Sequence, residues 1–180
     1  MIAGVDETGR GPLAGPVVAG CVILEKYIPG VTDSKLLSSK KRKELYNAII
    51  SNASCYSIGI VDNTIIDEIN IHNASLLAMK NAVCSFSFTP SLVLVDGPYE
   101  IPGLNLPQKA LIKGDRKNYL IGAASIIAKV VRDRIMEEYS ATFPLYSFSK
   151  HKGYPTKAHI EEIKKYGLSP IHRRSFIIKL

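Results

Sequence analysis

Three acids stand where chemistry is possible. Asp6 and Glu7 are neighbours at the end of the apolar run Ile2–Val5, and Asp96 closes a second apolar run, Leu92–Val95. Adjacent carboxylates repel one another and resist full ionisation. A divalent cation removes the conflict, and a few hard oxygen ligands completed by water and a substrate phosphate suit Mg²⁺. Each acid alone reads more readily as a solvated strand-end acid in a turn, so the cation reading needs the two strands to be neighbours. Around them, Gly4 and Gly9 are spaced as in a P-loop, and Gly9-Arg10-Gly11 with Ala14 as in a dinucleotide-binding loop. Both fail on context: the P-loop Lys and Ser/Thr are replaced by Arg10 and Gly11, and a β-branched run follows Gly15-Pro16 where a dinucleotide fold needs a helix. What remains is a backbone that a sugar–phosphate group can approach closely, with one Arg beside the acids.

Two further acids compete for a place beside them. Asp115 lies between a short strand ending near Lys113 and a helix beginning near Tyr119. It reads either as a site acid at another edge of the sheet or as a helix-start acid. Asp133 sits inside a helical stretch four residues after Lys129, where an exposed ion pair explains it.

The elements that must position these groups follow from periodicity. Ile2–Asp6, Val17–Leu24, Ser57–Val61, Leu92–Val95 and Ala110–Lys113 read as strands, with Gly9–Pro16 a tight connection between the first two. Ser38-Ser39 caps a helix over Lys40–Ile50 with Leu45, Ile49 and Ile50 inward, and Asp62–Ile69 and Asn73–Val83 read as two more helices. Tyr119–Tyr139 is the strongest helix signal: Leu120, Ala124, Ile127, Val131, Ile135 and Tyr139 share a face, and Leu120–Ala128 should be buried. A last helix runs from about Thr156 to Tyr166 and stops at Gly167. The sum is one α/β domain over 1–180, with helices flanking a sheet.

The chain has 180 residues, 46% of them apolar and 22% charged, which excludes a largely disordered protein. Its longest uncharged stretch, Leu45–Val61, is too short and too rich in Asn and Ser to span a membrane. The first residues lack a basic region, so no signal peptide is expected. Cys21, Cys55 and Cys84 are odd in number and far apart, which predicts reduced, buried thiols and a cytoplasmic protein. The four histidines show no metal spacing, and no G-x-S-x-G elbow exists. The net charge of +7 fits either a polyanionic partner or simple solubility. Basic residues crowd the last third with aromatics among them: Lys150-His151-Lys152-Gly153-Tyr154, Lys157, Lys164-Lys165 and His172-Arg173-Arg174-Ser175-Phe176. Such a surface can hold phosphates and stack on bases, or be a solvated face.

Taken in order, these motifs resemble the bacterial type 2 ribonucleases H, ribonuclease HII. The resemblance rests on Gly4–Val17, Asp33-Ser34-Lys35, Val95-Asp96-Gly97, Lys113-Gly114-Asp115, Ala123–Lys129, Arg132-Asp133-Arg134, His151–Tyr154 and Ser169–Phe176, which span nearly the whole chain. It implies the ribonuclease H-like fold, a mixed sheet of about five strands with helices on both sides. It implies a monomeric endonuclease for the RNA strand of RNA–DNA hybrids and for ribonucleotides embedded in duplex DNA. Such an enzyme cuts on the 5′ side and leaves a 3′-hydroxyl and a 5′-phosphate. By the same likeness Asp6, Glu7, Asp96 and Asp115 would bind Mg²⁺ or Mn²⁺. Gly9, Arg10, Gly11 and Tyr154 would read the ribose 2′-hydroxyl, Lys35 would lie near the substrate backbone, and the part from about 145 to 180 would add substrate contacts. Three other readings share some features: a DNA-cutting metal nuclease, which would not need the Gly9–Gly11 loop or Tyr154; a non-catalytic hybrid binder, which would tolerate loss of Asp6 or Glu7; and a small-molecule phosphohydrolase.

Overall fold

The computed structural model describes residues 1–176. Five strands form one mixed sheet: β1 (Ile2–Thr8), β2 (Val17–Leu24), β3 (Ala53–Val61), β4 (Leu92–Asp96) and β5 (Gln108–Leu111), in the order β3-β2-β1-β4-β5. β1, β2 and β3 form an antiparallel meander, whereas β4 and β5 run parallel to β1. The central strand β1 therefore has β4 as a parallel neighbour, with Val5 opposite Val95. One step further along both strands come Asp6 and Asp96.

Helices cover both faces. α2 (Asn63–Cys84) packs with alternate residues of β1, β2 and β4, among them Val5, Cys21 and Val95, in one apolar cluster. α1 (Ser39–Asn52) and α4 (Tyr119–Thr142) cover the other face over Val22, Leu24 and Leu94. Gly20, which pairs with Asp6 across the strands, lets α4 come this close: a Cβ there would sit 2.6 Å from the Ala124 carbonyl oxygen. Short helices α3 (Gly114–Lys117) and α5 (Phe148–His151) and helix α6 (Lys157–Tyr166) complete the elements of the described residues. The 146–171 region packs on the second half of α4 through its own small cluster, which includes Met136, Tyr146, Phe148, Ile163 and Ile171.

The structure adjusts several expectations. α2 runs through both helices read from the pattern, but Asn70 breaks it with φ 66°, and its side chain caps the second half by accepting from the His72 and Asn73 N–H groups. β3 starts four residues earlier than expected: it is an edge strand, and its first residues alternate between exposed Ser54 and Tyr56 and half-buried Ala53 and Cys55. β5 starts and ends two residues earlier: Gln108 is held by the Ile101 and Leu104 backbone, and Ile112 leaves the sheet for solvent. In α4 the buried side chains after Ala128 are Val130, Arg132 and Met136, while Val131, Ile135 and Tyr139 are only half-buried. Of the three cysteines, Cys21 alone is buried, and Cys84 is exposed. Asp133 forms no exposed pair; it is half-buried with Lys129 at 2.6 Å and Arg42 at 3.7 Å. No helix among the described residues is long and apolar enough to cross a membrane.

Candidate active site

All nine residues singled out in the sequence line one cleft of about 140 Å³ at the ends of β1 and β4: Asp6, Glu7, Gly9, Arg10, Gly11, Lys35, Asp96, Asp115 and Tyr154, together with Thr8. Oxygen atoms of Asp6, Glu7 and Asp96 lie within 4.8 Å of one another. Strand alternation places Asp6 on the α4 side, beside Ser125, and Glu7 on the opposite side. Asp96 accepts at one oxygen from the Gly114 N–H at 2.7 Å and the Asp115 N–H at 3.3 Å. Lys113, in the left-handed conformation with φ 57°, makes the turn that aims these N–H groups back at β4. Asp115 thereby reaches the cleft from a third element but stands outside the tight triplet.

Crowding shows in the acidities. Burial, then Glu7 and Asp96, push the Asp6 carboxyl well above its ordinary value. Burial raises Glu7 too, against the pull of Arg10, whose guanidinium lies 3.3 Å from Glu7. Asp115 is raised by burial, Asp96 and Asp33, while Lys35 opposes. A cluster of hard oxygen donors whose members resist ionisation fits a divalent cation: the ion would stabilise the charged forms that burial disfavours.

The basic side of the cleft has its own supports. Asp33 caps a one-turn 3-10 segment (Ser34–Leu36) by accepting from the Lys35 N–H at 2.9 Å, and its other oxygen takes a two-pronged contact from Arg116 at 3.0 and 3.2 Å. The Ser34 and Ser125 hydroxyls meet at 2.9 Å, so the exposed Lys35 is the member of the triplet left to face the cleft. Tyr154, 36% exposed, lies with its ring edge over Gly11. Its backbone is tied to the core, since its carbonyl accepts from His159 at 2.9 Å and its N–H donates to the His151 carbonyl.

Much of the expected basic docking surface is interior. His151, His159, His172 and Arg173 are buried, and Lys152 pairs with Glu137 at 2.7 Å. Among the described residues from 150 onward, the outward cations are Lys150, Lys157, Lys164, Lys165 and Arg174. The interior members form the scaffold that pattern reading missed: a sequence shows that a side chain is charged, and burial of that charge depends on which carbonyls surround it.

Comparison with known proteins agrees with this architecture. A family model described as ribonuclease HII matches residues 3–179. Ribonuclease HII of Caldicellulosiruptor saccharolyticus is 58% identical over 98% of this chain and 87% of its own length. That of Bacillus subtilis is 53% identical over 98% of this chain and 69% of its own. The crystal structure of ribonuclease H2 from Pyrococcus horikoshii superposes with a TM-score of 0.80 at 31% identity, covering 97% of this chain and 93% of that one. The five-strand order with helices on both faces is thus the ribonuclease H-like fold, and the chain belongs to the ribonuclease HII family of ribonuclease H endonucleases.

Proposed function

We propose that this enzyme uses divalent cations, Mg²⁺ or Mn²⁺, to hydrolyse the RNA strand of RNA–DNA hybrids and to nick duplex DNA on the 5′ side of an embedded ribonucleotide. The observation that carries the reading is one cleft that holds both the acid cluster and the Gly9–Gly11 loop with Tyr154. Asp6, Glu7, Asp96 and Asp115 would hold the cations, which when bound supply neutralising charge and a more acidic water. In the reaction a water oxygen joins phosphorus and loses a proton. The bond to the upstream 3′ oxygen breaks, and that oxygen takes up a proton, leaving a 3′-hydroxyl and a 5′-phosphate.

The chain's own groups divide the remaining work. Asp96 is oriented by two N–H donors, which leaves its second oxygen for the cleft. Lys35 and Arg10 place positive charge where a phosphodiester would lie. Tyr154 over Gly11 offers a ring face and a hydroxyl to a sugar. A site that hydrogen-bonds the 2′-hydroxyl rejects the deoxy analogue strongly, because its polar groups would otherwise go unpaired.

Incubation of a hybrid labelled on each strand tests this. The RNA strand alone should be cut in Mg²⁺ or Mn²⁺, and Asp96→Asn or a chelator should abolish cutting. Equal cutting of both strands, or cutting that persists in chelator, would overturn the reading.

A further inference from the structure

The chain from Gly9 to Pro16 lies outside the regular strands, yet two buried guanidiniums hold it from behind. Arg173, 1% exposed, donates from Nε to the Gly15 carbonyl at 3.0 Å, from Nη1 to Arg10 at 3.1 Å, and from Nη2 to Gly9 at 2.6 Å and Gly15 at 2.8 Å. Arg132, 0% exposed, donates to the carbonyls of Pro16 at 2.9 Å, Ala14 at 3.1 Å and Lys152 at 3.0 Å. Among the described residues neither guanidinium has a carboxylate at ion-pair distance. Burial lowers them to about 9 and about 10 respectively, so both stay charged at neutral pH.

Burying two cations without counter-ions is costly, and carbonyl ligands offset only part of the cost. What the arrangement delivers is direction. In a planar trans peptide the C=O and the following N–H point opposite ways. Drawing the Gly9 and Arg10 carbonyls onto Arg173 turns the N–H groups of Arg10 and Gly11 away from it. Both residues line the cleft, and neither N–H donates to another group among the described residues. Gly9 is needed here twice over: its φ is +96°, and a Cβ would collide with the Arg132 guanidinium.

We propose that Arg173 is a positioning residue for ribose recognition, setting the Gly9 and Arg10 carbonyls inward so that the Arg10 and Gly11 N–H groups face the nucleotide. Arg132 locks the same loop to the turn leading into Tyr154, so the two parts of the reader move as one body. This rests on the reading of that loop as the ribose reader. An ammonium cannot span the three carbonyls that the guanidinium fork reaches.

The test is binding of the full chain, in Ca²⁺, to two duplexes that differ only in one 2′-hydroxyl, with melting followed alongside. Arg173→Lys should lower the preference for the ribonucleotide duplex by about tenfold or more while affinity for the all-DNA duplex is kept. Unchanged preference, or equal loss on both duplexes in a folded variant, overturns the proposal. A parental protein with no preference would instead overturn the underlying reading. Amide NMR on the unsubstituted chain gives a second measurement that holds even if the variant does not fold. The Arg10 and Gly11 resonances should respond to the 2′-hydroxyl between the two complexes, and no response at either amide refutes the assignment.

Discussion

Lowering the pH should unfasten the segment behind Tyr154, because two buried histidines, His172 and His159, are hydrogen-bonded only as neutral rings. His172 Nδ1 accepts from the Ser169 N–H at 2.9 Å, so its proton is on Nε2 and points to His159 Nε2 at 3.0 Å. His159 must then carry its proton on Nδ1, directed at the Tyr154 carbonyl at 2.9 Å. His151 accepts at Nδ1 from the Gly153 N–H and so donates from Nε2 to Glu162 at 2.9 Å. An added proton on His172 or His159 would set donor against donor. Burial, followed by His159, lowers His172 to about 4, and burial lowers His159 as well.

The unfolded chain protonates His172 and His159 near pH 6.5, whereas in the folded chain both are lowered, His172 to about 4. The folded state therefore binds fewer protons, and the stability is complete above about pH 6.5 and lost as pH falls toward 4. His172 alone accounts for about 1.4 kcal/mol per pH unit inside that window, or about 2 kcal/mol between pH 6.5 and 5. Urea unfolding of the parental chain and of His172→Gln, at half-unit steps from pH 7.5 to 5, isolates this contribution from the carboxylates as the difference between the two slopes. A parental slope no steeper than that of His172→Gln would refute the reasoning.

Other outcomes follow from the same geometry. Asp115→Asn should slow single-turnover cleavage by about 10²-fold or more, the scale of losing one aimed electrostatic group. Asp133→Asn should leave the chemical step nearly intact and cost about 1 kcal/mol in urea melts, since it releases the half-buried Lys129 and Arg42. The reverse ranking of these two would place the fourth site acid in the wrong element. Tyr154→Ala should melt within about 1 kcal/mol of the parent, because the ring is partly exposed, yet cut poorly at a single ribonucleotide. Parental cutting by that variant would remove Tyr154 from the reader. Hybrid binding measured in Ca²⁺ should fall by about 10²-fold between about 50 and 200 mM salt if about four phosphates are neutralised by Lys35 and the exposed C-terminal cations. A flat salt response would count against them.

The acid triplet was legible because it needs only two apolar strands that end in carboxylates and lie side by side, and β1 and β4 are such a pair. Helix starts at Ser38, Thr156 and Asn118 obey capping chemistry that acts within a few residues. What stayed hidden acts over long range. Arg132 lies on a helix between a valine and an aspartate, and its burial comes from carbonyls more than a hundred positions away. Arg173 and His172 look like a basic tail in sequence, but the Ala14–His172 bridge carries them under the Gly9–Pro16 loop. Asp115 was readable as an acid near a sheet edge; its use depends on the left-handed Lys113 and on Asp96 accepting from the backbone beside it. The edge strands begin earlier than the pattern suggests because their first residues, Ala53–Tyr56 and Gln108-Lys109, mix small, polar and half-exposed side chains that periodicity does not mark as strand.

The most direct test is single-turnover cleavage, in Mg²⁺, of a DNA duplex with one ribonucleotide beside an identical duplex whose sugar there is 2′-deoxy, with the ends of every product mapped. The account predicts one nick on the 5′ side of the ribonucleotide, ending in a 3′-hydroxyl and a 5′-phosphate, and an intact deoxy duplex. Comparable nicking of the deoxy duplex would contradict it, as would a 2′,3′-cyclic phosphate, which would make the ribose hydroxyl rather than water the attacking group.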